Sequence, residues 1–203
     1  GERNIAMGTG ALDGNTTGWQ NVAVGYDALG AQVTGSANVG VGFEASLNTT
    51  GQNNNVVMGY QAGLNNTASN NTALGYSVLL SNTTGTNNFG AGVSALISNT
   101  TGSRNTAIGV DSIRTNTIGT DCTAVGYNAL TNSTVSELVA IGVNAMAGNI
   151  TGTGNTACGF NALLTNQTGN NNTATGYYSL RLNIGSNNTA FGYAALLANT
   201  SGA

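Results

Sequence analysis

The side chains able to do acid–base or nucleophilic chemistry are few in this 203-residue chain: it has no His, seven carboxylates, four cations and two cysteines. General acid–base and covalent catalysis draw on His or on paired carboxylates poised near neutrality, and neither set is present, so the chain reads as non-catalytic and without a cofactor. The cations Arg3, Arg104, Arg114 and Arg181 are scattered. A nucleic-acid surface needs clustered cations that displace counterions from phosphates, which excludes nucleic acid as a partner, and the formal charge of -3 argues for no strongly charged partner. Asp13, Asp27, Asp111 and Asp121 do not fill one slot in every repeat, as a calcium-binding solenoid requires. The strings Gly40-Val41-Gly42-Phe43-Glu44-Ala45 and Gly90-Ala91-Gly92-Val93-Ser94-Ala95 echo a dinucleotide fingerprint but lack the helix and downstream acid that the mechanism needs. Cys122 and Cys158 fall two repeats apart, about 10 Å along a solenoid axis, beyond the ~7 Å reach of a disulfide, so each is expected to fill a small core slot.

What positions these residues is a repeat. A motif Asn-Thr-Ala-apolar-Gly-Tyr places its glycine at Gly8, Gly25, Gly42, Gly59, Gly75, Gly92, Gly109, Gly126, Gly142, Gly159, Gly176 and Gly192, with spacings of 16 or 17 residues throughout. The fourth residue before the glycine is Asn4, Asn21, Asn38, Asn55, Asn71, Asn88, Asn105, Asn155, Asn172 or Asn188, with Cys122 and Leu138 as exceptions. Two before the glycine stands Ala or Gly, with Val57 the one larger residue; just after it Tyr or Phe predominates, and a small residue and Leu follow. Each repeat closes on a second corner, Asn-Thr-Thr-Gly or a variant, ending at residues such as Gly18, Gly35, Gly51, Gly85 and Gly202.

Seventeen residues are too few for a repeat containing a helix. They suffice for short strands and corners, so the chain is predicted to be all-β: one parallel β-solenoid domain, residues 1–203, of 12 coils of 16–17 residues. Alternation across the motif gives a small inner face and a bulky outer face. The asparagines are predicted to form a ladder, each amide donating to one neighbour and accepting from the other. At about 4.8 Å per coil the rod is on the order of 58 Å long.

Such a coil encloses little volume, so Val22, Val24, Tyr26 and their equivalents are predicted to face outward as an apolar stripe larger than a monomer usually leaves uncovered. Self-association into a homotrimer or filament follows, and the absence of polar caps suggests a segment of a longer fibre. No run of about 18 apolar residues appears, so no membrane insertion is expected.

The string Asn-Asn-Thr-Ala-x-Gly-Tyr followed by Ala-Leu or a near variant, seen from Asn71, Asn171 and Asn187, resembles the repeats of phage and large-virus tail fibres and of bacterial surface fibres, and more distantly the head repeats of trimeric autotransporter adhesins. The resemblance covers essentially the whole chain. It implies a three-chain parallel β-solenoid on a virion or cell surface, hence extracellular, acting as a structural and adhesive fibre whose amide- and hydroxyl-rich corners make weak multivalent contacts, cell-surface glycans among their partners. An ice-binding solenoid is the alternative, because Thr72, Thr106, Thr123, Thr156, Thr173 and Thr189 share one column.

Asn15, Asn48, Asn82, Asn99, Asn149, Asn166 and Asn199 open Asn-x-Ser/Thr sequons and are candidate glycosylation acceptors. Local turn chemistry accounts for them more simply.

Overall fold

The structure, a computed structural model, describes residues 1–200; the corner expected at Gly202 lies outside them. Twelve strands run β1 (Ile5–Met7), β2 (Val22–Val24), β3 (Val39–Val41), β4 (Val56–Met58), β5 (Thr72–Leu74), β6 (Phe89–Ala91), β7 (Thr106–Ile108), β8 (Thr123–Val125), β9 (Val139–Ile141), β10 (Thr156–Cys158), β11 (Thr173–Thr175) and β12 (Thr189–Phe191). They form one parallel sheet in chain order, and the register never shifts: Ile5 pairs with Val22, Val22 with Val39, and so on to Thr173 with Thr189. The predicted β-solenoid is therefore the fold, and no described residue is helical.

Each strand stops after three residues because positive φ angles bracket it. The twelve repeat glycines have φ between +123° and +139°, a region essentially closed to residues with a Cβ. A Cβ on Gly126 would also lie 2.5 Å from the carbonyl oxygen of Gly142, one coil on. At the other end, the residue before the Asn takes left-handed φ, as at Gln20 (57°), Ala37 (58°) and Arg104 (58°). Beyond the glycine, every second residue is left-handed again, as in the pairs Asp27 and Leu29, or Asn161 and Leu163. Among the described residues, 33 other than glycine have positive φ. Each costs about 1 kcal/mol or more, so an isolated coil would not hold this path. Hydrogen bonds from one coil to the next impose it, for example Asp27 N–H to the Thr9 carbonyl at 2.9 Å and Leu29 N–H to the Ala45 carbonyl at 3.0 Å.

The core is one side chain wide. Ala23, Ala73, Ala107 and Ala124 from the strand centres meet Leu29, Leu79, Ile113 and Leu130 from the turn that follows, all fully buried. Bulk is matched locally across this space. Val57 fills the tight strand slot of its coil, and there the Leu position is Gly63, whose Cβ would come within 3.3 Å of both Val57 methyls. Val78 replaces the usual Ala, and the next strand answers with Gly90, where a Cβ would lie 2.5 Å from Val78 Cγ1.

The three 16-residue coils lose their residue at the second corner, where it disturbs no strand. Asn82 donates to the carbonyl three residues on, at Gly85, whereas Asn66, in a shortened coil, donates to Ala68 two residues on. One motif is displaced. The Asn38 amide finds the corner carbonyl at Gln52 (2.7 Å), not Gly51, so the Asn48-Thr-Thr-Gly51 string sits one residue ahead of its counterparts.

Candidate functional surface

Two columns of buried amides line the second corner, and they divide the labour differently from the sequence expectation. In the column of Asn4, Asn21, Asn38, Asn55, Asn71, Asn88, Asn105, Asn155 and Asn172, the side-chain oxygen accepts the backbone N–H at the same position one coil later, and Asn188 at the end of the column accepts from Asn199 Nδ2. Asn21 N–H to Asn4 Oδ1 is 2.8 Å, Asn71 N–H to Asn55 Oδ1 is 2.8 Å and Asn172 N–H to Asn155 Oδ1 is 2.8 Å. The side-chain nitrogen donates to the corner carbonyl, as Asn21 Nδ2 does to Gly35 (2.8 Å) and Asn105 Nδ2 to Gly119 (2.9 Å). Direct amide-to-amide bonds in this column are fewer, such as Asn188 to Asn172 at 3.0 Å. The ladder exists, but mainly as side chain to backbone. The reason is geometric: Oδ1 takes a backbone N–H that has no strand partner, so that buried donor is satisfied.

The amide-to-amide ladder is stronger in a second column that the sequence reading did not single out as a ladder. Asn82 Nδ2 donates to Asn66 Oδ1 at 2.6 Å, Asn99 Nδ2 to Asn82 Oδ1 at 2.7 Å and Asn199 Nδ2 to Asn183 Oδ1 at 3.0 Å. This column contains most of the sequons. Asn82, Asn99, Asn149 and Asn166 are fully buried, and each Nδ2 donates to the glycine three residues later, for instance Asn149 to Gly152 at 2.9 Å. A glycan on that nitrogen has no room, so these four are corrected from acceptors to core residues. Asn15 and Asn199 are part-buried; Asn48, displaced from the column by the register change, is exposed. The signal was present as a fixed spacing between Asn and the corner glycine, with Thr67, Thr83 and Thr100 outside. Those threonine hydroxyls are themselves engaged with the next coil, Thr100 to the Thr117 carbonyl at 2.8 Å, so the amide-rich outer surface expected at this corner is instead an amide-rich interior.

A third column runs with the opposite polarity: Trp19 N–H donates forward to Ser36 Oγ (3.1 Å), Ser36 N–H to Asn53 Oδ1 (2.8 Å) and Asn53 N–H to Ser69 Oγ (3.0 Å).

On the opposite side the outward residues of β1 to β12 and the aromatic column form a face without a single charged residue. Val56 (37% exposed), Met58 (43%) and Ile141 (41%) are open to solvent. Tyr26, Phe43, Tyr60 and Tyr76 stack with ring centroids 5.2–5.3 Å apart and nearly parallel planes, and Phe160, Tyr177 and Tyr193 repeat the arrangement at 5.0 and 5.5 Å. Within these stacks the ring faces meet one another, which fits packing ladders. The six threonines of the alternative reading lie on this same face, interrupted by Phe89 and Val139 and preceded by Ile5, Val22, Val39 and Val56.

Charges stay at the coil corners. Arg104 forks onto Asp121 one coil later, with Nε to Oδ1 2.6 Å and Nη2 to Oδ2 2.7 Å; that bond holds the Asp121 carboxyl below its usual range and raises Arg104. Both thiols are free. Cys122 stands in the first Asn column and offers its Sγ to the Val135 carbonyl at 3.3 Å, and burial pushes its thiol up. Cys158 is half-buried on the outer sheet face. Among the described residues no cluster of three or more metal-ligating side chains occurs, and no helix is long and apolar enough to cross a membrane. No family model matches this chain, and neither a curated protein nor a solved structure matches it.

Proposed function

We propose that the chain is a non-catalytic shaft segment of an extracellular fibre on a virion or microbial surface, assembled from parallel copies as a homotrimer or filament. One observation carries the reading: the uncharged, largely apolar sheet face continues in register along all twelve strands. That face measures roughly 58 Å by 13 Å, about 750 Å², from strand spacing and rise. Stable interfaces bury about 800 Å² per partner, so the whole length of the rod is needed and nothing shorter suffices. Stiffness comes from the ladders, and adhesion from many weak contacts along the remaining sides.

The test is sedimentation and light scattering over a wide concentration range, together with cross-linking by a short bismaleimide. Oligomers are expected at micromolar protein, covalently trapped through Cys158, and Val41→Lys on the same face dissolves them without unfolding the chain. A species that stays monomeric at every concentration overturns the assembly. The ice-binding alternative is weakened by the interrupted threonine column, and thermal hysteresis no greater than that of an ordinary globular control is the expected result.

A further inference from the structure

One coil departs from the repeat in a way that packing does not explain. The second residue after the glycine is small or polar elsewhere, such as Asp27, Ser94, Asp111 and Asn161, but in the β11 coil it is Tyr178, a bulky aromatic at φ 61°. Three residues on, Arg181 lays its guanidinium carbon 4.7 Å from the centre of that ring. Tyr177 packs against Tyr178 at 4.2 Å between centroids, and Phe160 lies 5.7 Å away.

The coil of β7 is an internal reference. There the same two positions hold Asp111 and Arg114, and Arg114 Nε reaches Asp111 Oδ1 at 3.3 Å. The corner thus accommodates a carboxylate beside the guanidinium. In the β11 coil an aromatic ring replaces that carboxylate, and Arg181 is the sole charged residue from Leu138 to Thr200. Its Nε is buried with no hydrogen-bond partner. The terminal amino groups, which are not among the buried unpaired atoms, make no bond to the described residues, so a charge-assisted pair is left open. A planar guanidinium offers a carboxylate two parallel N–H donors, and Tyr177 (43% exposed), packed against Tyr178, supplies an apolar body with a polar tip that suits a saccharide ring.

We propose that Arg181, Tyr177 and Tyr178 form a binding site for a carboxylate-bearing sugar of a surface polysaccharide, the ligand's carboxylate pairing with the terminal amino groups of Arg181. The site deepens the adhesive part of the reading above, on which it rests for its setting. It adds one directional contact to the otherwise unspecific corners.

The experiment is an NMR titration of the full chain with a galacturonic acid tetrasaccharide and, in parallel, with its methyl ester. The acid is expected to shift the Arg181 side chain and the tyrosine rings saturably, and the ester to bind at least tenfold more weakly. Arg181→Leu, which installs the residue found at Leu164, and Tyr178→Asp, which restores an internal carboxylate, are each expected to weaken the acid at least tenfold. Both substitutions follow the repeat, and circular dichroism checks their folding. Equal binding of acid and ester, unchanged binding by either folded variant, or no saturable binding of the acid overturns the site. Light scattering on the same samples reports assembly separately, so a failed site with intact oligomers, or the reverse, shows which reading has fallen.

Discussion

Gln32 Oε1 lies 2.8 Å from the hydroxyl of Thr49, one coil later in the interior amide column. Both residues depart from the Asn that fills this column in most coils, and they depart together. Thr49 has no amide nitrogen to serve the Gln52 carbonyl, and the longer Gln32 reaches it instead, Nε2 to oxygen 3.0 Å.

The two sites should therefore be coupled. Gln32→Asn alone is expected to lower stability by about 1–2 kcal/mol, since it withdraws the acceptor and donor that the next coil uses. Gln32→Asn with Thr49→Asn restores the common column and is expected to recover most of that loss. Urea unfolding of both singles and the double measures the coupling, which additive effects would reduce to zero.

Gly126→Ala and Gly192→Ala share the penalty of positive φ (+135° and +123°), but a Cβ at Gly126 meets the carbonyl of the next coil whereas no described residue lies within 4 Å of one at Gly192. Gly126→Ala is expected to cost about 2 kcal/mol more than Gly192→Ala, the usual scale of overpacking. Thermal unfolding of the pair checks the difference.

Asn82→Ala removes a fully buried amide from between Asn66 and Asn99. A loss of about 2–3 kcal/mol is expected, because three hydrogen bonds of buried groups are lost, to Asn66, to Gly85 and from Asn99, against little change for exposed Asn48→Ala. In a host that glycosylates sequons, intact mass of the folded protein should show no glycan at Asn82, Asn99, Asn149 or Asn166; a glycan there would contradict their burial.

Asp121 is the group from which an acid dependence is expected. Its folded carboxyl is held below the ordinary 3.8 by Arg104, so its contribution is complete above the unfolded value and disappears as pH falls through the lower folded one. Stability measured downward from pH 5 should fall in that window, by a small amount because the pair is fully exposed. Asp121→Asn should remove this slope, and salt should shrink it.

The registers of Gly8 to Gly192 and of Asn4 to Asn188 were legible because a parallel stack sets each residue on its own copy, so identical environments select identical residue types. Val57 stood out as an exception, but its compensation by Gly63 did not, since that contact joins residues across the coil interior. Burial of the sequon asparagines was hidden for a related reason: Asn48 and Asn82 lie in the same kind of string, and a one-residue offset at the corner puts the first outside and the second inside. Residue type gave no sign of the left-handed backbone at Leu29, which the neighbouring coils impose.

The amino-acid order alone determined the period, the parallel stacking and which face is small, since alternation and spacing are local properties of a strand. Only the tertiary structure decided which atoms of the two Asn columns bond to one another, and that Arg181 faces an aromatic ring where Arg114 faces a carboxylate. Those outcomes depend on coil curvature, which sets the side-chain directions that sequence spacing leaves open.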